Sequence, residues 1–459
     1  MNRNITVLTD SYKIGHYDMY PEGTETVYSY FESRKGARFN ETVFFGLQYL
    51  LKEYLCGQVV TKESIDKGQA IVDAHLGPNV FNREGWEYIL KEYNGHLPLE
   101  IKAVPEGTPV DVGNVLMTVE NTDPKCFWLS NFSETLLTHV WSASTVATLS
   151  REVKKLCKSY LGATSDNQAG LNFMLHDFGY RGVSSVESAG FQGAGHLVNF
   201  FGTDTIAAIE LLMNYYNSGV CAFSVPATEH SIMTARGEEG EKQVFKDLLD
   251  KYPTGILSVV IDSYDYHRFI REYAEEFKDQ ILARDGKVVF RPDSGDPVKV
   301  VRNVLKNLEI VFGSTENSKG FGVLNPKVGV LWGDGIDIEG IKCILNDMLQ
   351  QKWSAENIVF GMGGGLLQKV NRDTQRFAFK SSAQKRNGEW FDIYKDPIDS
   401  SKASKKGKLA LTKRFGFYET INPDALLTNK DDLLETVFLN GFLIEEYSLD
   451  QIRKNAELE

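Results

Sequence analysis

The chain has 459 residues, too many for one ordinary core, so two or three domains are expected. Hydrophobic residues make up 42% and charged residues 24%, a globular composition that excludes disorder and low complexity. A formal net charge of −12 and a pI of about 5.3 oppose broad attraction to nucleic acid or anionic lipid, so an anionic substrate would have to meet local cations.

The N-terminal run up to Leu8 is too short for a signal peptide or a membrane span, and no other stretch reaches about 18 uninterrupted apolar residues. A cytoplasmic protein with no membrane or nucleic-acid partner is expected. Apolar positions Val43, Phe44, Leu47, Leu50, Leu51 and Tyr54 recur at helical steps and predict an amphipathic helix over Glu41–Leu55, stopped by Gly57. A second helix is predicted over Asn82–Tyr93. From Leu97 to Val119 the pattern shortens to alternating runs broken by Pro105-Glu106-Gly107 and Gly113-Asn114, which reads as antiparallel strands. Ser150 is expected to cap a helix carrying Val153, Leu156, Cys157, Tyr160 and Leu161 on one face, with Gly162 past its end. The five cysteines, Cys56, Cys126, Cys157, Cys221 and Cys343, show no CxxC spacing and read as reduced packing residues, not zinc ligands.

Beyond that helix a unit recurs: a short β-rich run, a polar cluster, then a helical segment. Four units are clear, with runs at Ile256–Ile261, Lys287–Phe290, Val328–Trp332 and Ile358–Phe360. Weaker ones end at His176-Asp177-Phe178, Gly202-Thr203-Asp204 and Pro226-Ala227-Thr228-Glu229-His230. Strands alternating with helices imply a parallel sheet, so the expected fold class is α/β, an irregular (β/α) TIM-like barrel over 151–384. An open doubly wound sheet is the alternative. A second α+β domain of antiparallel strands and helices is expected from 1–150, joined by 385–459. Lys402–Lys408 reads as an exposed loop.

In either α/β fold the polar clusters sit at the strand C-termini, where ligands bind. Asp262, Asp293 and Asp334 end three different strands and would converge on one mouth, able to hold Mg²⁺, accept ribose hydroxyls or stabilise a cationic transition state; each could instead cap the next helix. Gly363-Gly364-Gly365 after a strand would let backbone N–H groups meet a phosphate, with Arg372 nearby, or would simply make a tight turn. Arg291 opens Arg-Pro-Asp-Ser-Gly, suited to a bidentate guanidinium or to a surface ion pair. His230 reads as nucleophile, base or satisfied core histidine.

Seven segments in order closely resemble the nicotinamide phosphoribosyltransferases, which are type II phosphoribosyltransferases: Thr9-Asp10-Ser11-Tyr12-Lys13, His176 to Gly182, Gly202 to Thr205, Val225 to Ser231, Arg291 to Gly295, Gly333-Asp334-Gly335, and Gly363 to Lys369. The resemblance runs from about Thr9 to Asn455. It implies transfer of phosphoribosyl from phosphoribosyl pyrophosphate to nicotinamide, giving nicotinamide mononucleotide, with Mg²⁺, with ATP hydrolysed as co-substrate through a phosphohistidine, and with homodimers that share active sites. By that resemblance Phe178 and Tyr12 of a partner copy sandwich the pyridine ring, and Asp10 and Arg181 also bind substrate. Asp204 and Arg291 hold the amide. Asp293 and Asp334 hold ribose and metal, Gly333 also binds substrate, Gly363 and Gly364 with Arg372 hold phosphate, Arg34 and Lys380 add charge across the interface, and His230 oriented by Asp262 takes phosphate from ATP.

Three features depart from the family pattern. The link from Ser33-Arg34 to Glu41 is short, Ala378 stands where a phosphate-facing Ser is expected, and Phe173 replaces a Tyr. A nicotinate-specific enzyme is the nearest rival, and Asp204 argues against it because a carboxylate repels the acid substrate. A sugar-phosphate aldolase or isomerase, or a catalytically silent binding protein, are the readings from other classes.

Overall fold

The computed structural model describes residues 3–394 and 404–458, and its two hydrophobic cores meet along one helix, Val140–Thr164. Val140, Ala143 and Ala147 of that helix belong to the first core, and Val146, Leu149, Val153, Cys157 and Leu161 to the second.

The first core lies on a seven-stranded antiparallel sheet ordered Glu389–Asp392, Phe377–Arg386, Thr24–Ser33, Val115–Asn121, Leu99–Ala103, Glu435–Leu439, Phe442–Leu443. Period-two patterning is plain in Leu99–Ala103, where Leu99, Ile101 and Ala103 are buried while Glu100 and Lys102 are half-buried. The helix predicted over Asn82–Tyr93 is present as Arg83–Glu92, with the Asn82 side chain accepting from Gly85 N–H. Glu41–Leu55 is shorter as a helix than its periodicity predicts. Glu41–Val43 is a strand paired with Pro109–Asp111, Gly46 turns the chain at φ 108°, and only Leu47–Leu50 is α-helical before a π-helical turn over Leu51–Leu55. The tertiary pairing outweighs the local pattern here.

The second core lies between helices and a six-stranded parallel sheet ordered Gly202–Thr203, Leu175–Asp177, Ile358–Met362, Val328–Trp332, Asp285–Arg291, Thr254–Val260. Alternate residues Val288 and Phe290, Val330 and Trp332, Phe360 and Met362 share this core with Val304, Leu308, Ile341 and Leu345 of the helices Pro297–Phe312 and Ile338–Gln350. The expected irregular TIM-like barrel is corrected to a curled part-barrel of six strands. Between its edge strands the chain at 223–228 makes only single bridges, Gly202 with Phe223 on one side and Ala227 with Ser258 on the other. Pro226 has no N–H for a ladder, and Gly202–Thr203 is too short to template one.

Ser150 caps nothing. It is buried inside Val140–Thr164 with its hydroxyl 2.9 Å from His196 Nδ1, and Gly162 is likewise inside the helix. Small residues in this stretch admit the helix Val186–Leu197 at such close range that a Cβ on Gly195 would lie 2.5 Å from the Ala143 carbonyl. The charged segment Lys402–Lys408 is only partly as expected. Lys402 and Ala403 fall outside the described residues, while Lys405 pairs with Glu32 and Lys408 with Glu120, 2.9 Å apart. Cys126 and Cys157 pack in the cores, but Cys343 is exposed, contrary to its reading as a packing residue. Among the described residues no helix is long and apolar enough to cross a membrane.

Candidate active site

The loops that follow the parallel strands enclose a cavity of about 750 Å³. Phe178, Arg181, Asp204, Arg291, Asp293, Gly333, Asp334, Gly363 and Gly364 all line it. Residues from five separate strand ends therefore converge, as the topology requires of a ligand site in a parallel sheet.

Phe178 forms the floor. Its N–H donates to the Met362 carbonyl (3.1 Å), and its ring lies over two glycines: a Cβ on Gly361 would meet ring carbons at 2.0 and 2.2 Å, and one on Gly333 would meet them at 3.2 and 3.4 Å. A flat aromatic face in a polar cavity is a stacking platform for another ring. The turn is set by Asp177, whose carboxylate accepts from Gly179 N–H at 2.7 Å and whose pKa burial pushes up to about 6. Sequence reasoning missed this role, although an Asp two residues before Gly is a recognisable Asx-turn signal.

Asp204 and Arg291 bring opposite charges to the same cavity. Asp204 N–H donates to the Asp177 carbonyl (2.9 Å), and its side chain accepts from the Ser224 hydroxyl. Arg291 donates through Nη2 to the Thr228 carbonyl at 3.0 Å, while its buried Nε has no partner within the chain.

The acids form the far wall. Asp262 Oδ2 accepts from Asp293 N–H (2.9 Å) and from the Ser294 hydroxyl, and its Oδ1 lies 3.4 Å from His230 Nε2. His230 Nδ1 is 4.0 Å from Asp293 Oδ2, so the imidazole stands between two carboxylates, outside the cavity lining but joined to it through Asp293. The pKa of Asp334 is raised, first by burial and then by the charges of Asp293 and Asp262. None of the three acids caps a helix: that task falls to Asp265, Asp296 and Asp337, whose carboxylates accept from His267, Lys299 and Gly340 N–H respectively. Asp293 and Asp334 are hard oxygen donors under mutual repulsion, and two carboxylates beside substrate phosphate suit Mg²⁺. No cluster of three or more His, Cys, Asp or Glu that would cage a metal by itself occurs among the described residues.

The glycine run opens Gly364–Leu367, a helix of only four residues, so any phosphate contact there would come from bare backbone and not from a helix dipole. Lys369 and Gln368, beyond the run, also line the cavity. Besides His230 and Asp262, five residues singled out from the sequence do not. Asp10 accepts from the Thr135 hydroxyl at 2.7 Å, and Tyr12 is 62% exposed. Arg34 bonds to the Arg376 carbonyl, Arg372 is exposed, and Lys380 is exposed on Phe377–Arg386 opposite Tyr30. Ala378 is buried in that strand, and Phe173 packs edge-on to Phe201. A second cavity of about 760 Å³ adjoins the first at Gly182 and Gln368, lined by Tyr49, Tyr54 and Glu187 but by none of the three strand-end acids.

The profile of the Nicotinate phosphoribosyltransferase (NAPRTase) family matches residues 173–441, and that of the Nicotinamide phosphoribosyltransferase N-terminal domain matches 4–101. The chain is 46% identical over 464 residues to a protein of Xanthomonas campestris pv. campestris (strain 8004) named nicotinamide phosphoribosyltransferase, covering 99% of this chain and 98% of that one. It is 35% identical to one of the same name from Acinetobacter baylyi, covering 97% and 95%. In fold it resembles a nicotinate-nucleotide pyrophosphorylase from Pyrococcus furiosus (TM-score 0.63, 16% identity, 99% and 95% covered) and human nicotinic acid phosphoribosyltransferase (TM-score 0.59, 15% identity, 98% and 93% covered).

Proposed function

Since the chain belongs to the nicotinate phosphoribosyltransferase family, we propose that it is the branch of that family acting on nicotinamide, transferring phosphoribosyl from phosphoribosyl pyrophosphate to form nicotinamide mononucleotide and pyrophosphate. The observation that carries the reading is the joint presence of Phe178, Asp204 and Arg291 on the cavity that Asp293, Asp334 and the glycine run complete. The ring of nicotinamide stacks on Phe178, its amide N–H₂ donates to Asp204, and Arg291 donates to its carbonyl oxygen. A carboxylate substrate would place two negative charges together at Asp204, which costs several kcal/mol in a partly desolvated site.

Substitution at the anomeric carbon passes through an oxocarbenium-like state, so the protein acts by aligning the ring nitrogen and by screening the leaving group. Asp293 and Asp334 hold the ribose hydroxyls and would bind Mg²⁺, which supplies positive charge to the pyrophosphate oxygens. Arg181, Lys369 and the backbone at Gly363 and Gly364 face the same space. His230, flanked by Asp262 and Asp293, takes the γ-phosphoryl group of ATP with release of ADP, and hydrolysis of the phosphohistidine returns the imidazole and inorganic phosphate. Asp262 fixes the ring through Nε2 and leaves Nδ1 toward the cavity side.

Incubation with Mg²⁺, phosphoribosyl pyrophosphate and either nicotinamide or nicotinic acid, with and without ATP, should yield nicotinamide mononucleotide from the amide and stimulation by ATP. A product from the acid alone would overturn the assignment. His230→Ala should lose ATP stimulation and keep a residual ATP-independent transfer; full stimulation in that variant would remove the phosphohistidine.

A further inference from the structure

The single bridges between the edge strands of the parallel sheet bear on how Arg291 is held. Among the described residues its guanidinium finds one acceptor, the Thr228 carbonyl, 3.0 Å from Nη2. Thr228 is buried and ends the segment that bridges once, through Ala227 and Ser258, to the strand Thr254–Val260. That bridge begins as a regular parallel ladder: Ser258 N–H donates to the Pro226 carbonyl (2.9 Å) and Thr228 N–H to the Ser258 carbonyl (3.0 Å). The next bond of such a ladder would run from Val260 N–H to the Thr228 carbonyl. Instead, Val260 N–H donates to the Thr228 hydroxyl at 2.8 Å. The side chain stands in for its own carbonyl, and that carbonyl is left for Arg291. Val260 and Arg291 are direct partners where Thr254–Val260 pairs with Asp285–Arg291, so the three residues stand at one level across the sheet.

We propose that Thr228 is a positioning residue for recognition of the pyridine amide: its hydroxyl satisfies Val260 N–H and so frees its carbonyl to hold the Arg291 guanidinium in the cavity wall. Val260 is fully buried, so without that hydroxyl its N–H either goes unmatched or captures the carbonyl at position 228. Both outcomes loosen the one anchor of the guanidinium, and the donor offered to the substrate carbonyl loses its fixed direction. Thr228 itself lies outside the cavity lining and acts through Arg291. This inference rests on the reading of Arg291 as the donor to the amide of nicotinamide.

Steady-state kinetics of Thr228→Val, which keeps the branched shape and removes the acceptor, provides the test. The KM for nicotinamide should rise roughly 3- to 10-fold, the worth of one ordinary hydrogen bond, with the KM for phosphoribosyl pyrophosphate unchanged. Thr228→Ser restores the hydroxyl and should return the KM for nicotinamide toward the wild-type value. A merely structural role would lower the urea midpoint and the amount of active enzyme while leaving both KM values in place. On an Arg291→Ala background, Thr228→Val should add nothing further to the KM for nicotinamide, because the group it positions is gone. An unchanged KM in Thr228→Val, an equal rise in both KM values, no recovery in Thr228→Ser, or the full factor again on Arg291→Ala overturns the proposal. A wild type that forms no nucleotide from nicotinamide overturns the proposed function, and this inference with it.

Discussion

Asp262, Asp293 and Asp334 are each followed three residues later by another aspartate, and the second of each pair caps the next helix. That division of labour frees the first to face the cavity or the imidazole, and it makes an isolated reading of either aspartate ambiguous in sequence. Asp204 is a single-residue determinant of a different kind. Replacing it by Asn keeps the shape and an acceptor but removes the charge, so Asp204→Asn should narrow the preference for nicotinamide over nicotinic acid by about 2 kcal/mol, about thirty-fold in the ratio of kcat/KM values. An unchanged ratio in competition assays would place the discrimination elsewhere. Gly361 shows how tightly the platform is built. A methyl group there would overlap the Phe178 ring, so Gly361→Ala should tilt the platform and raise the KM for nicotinamide roughly 5- to 150-fold, an overpacking cost of about 1–3 kcal/mol, with the KM for phosphoribosyl pyrophosphate little changed. Equal effects on both constants would show that the ring does not hold the base.

At the scale of elements, Glu106 joins the antiparallel sheet to the helical layer. Its buried carboxylate accepts from Gly46 N–H (3.0 Å), Gln48 N–H (2.6 Å) and the Tyr216 hydroxyl (3.0 Å), serving the start of Leu47–Leu50 from outside that helix. Glu106→Ala leaves three buried donors unmatched and should destabilise the protein by about 3 kcal/mol or more, read as a lower urea midpoint. The pH dependence has a definite sign. Burial raises the carboxyl from 4.5 to about 7, so the folded state binds more protons than the unfolded one in that window, and the contribution of Glu106 is greatest below 4.5, declines as pH rises to about 7 and is flat above. In Glu106→Gln the slope of stability against pH across this window should be shallower than in the wild type. The strand ends were legible in the sequence because Gly, Asp and Arg punctuate them: Val328–Trp332 is predicted to the residue, and even the weak runs ending at Asp177 and Thr203 are strands. The start of Val140–Thr164 was not legible, because Ser142 to Ser150 carries no apolar stripe; its small residues answer the glycine-bearing surface of Val186–Leu197, a partner that local pattern cannot reveal. Glu106 and Asp177 were illegible for a related reason, since an acid in sequence reads as surface until its burial is known.

For the whole molecule, the division of site residues between cavity and rim carries the argument for assembly. The cavity holds the acids and the aromatic floor, whereas Tyr12, Arg34, Arg372 and Lys380 stand outside its lining. Three of these belong to one basic edge, where the chain at Arg34 to Arg38 runs beside Arg372 to Arg376: Arg34 N–H donates to the Arg376 carbonyl, Arg38 N–H to Thr374, and the Arg376 guanidinium to the Lys35 carbonyl at 2.8 Å, with Lys380 further along the same strand. On a chain of net charge −12 this edge gathers cations that would complement an acid-lined mouth taking a pyrophosphate. A two-fold dimer would carry each edge to the other copy's cavity, and in a closed two-fold pair both sites are completed at once. The consequence can be measured without any view of the interface. Asp293→Ala damages the cavity and Lys380→Ala the edge, so each homodimer should be strongly impaired; in a mixed population half the dimers are heterodimers, with one site carrying both lesions and the other carrying none, and activity should return to about a quarter of the wild type. If every site drew all its residues from one chain, both kinds of subunit would stay damaged in every pairing and mixing would restore nothing.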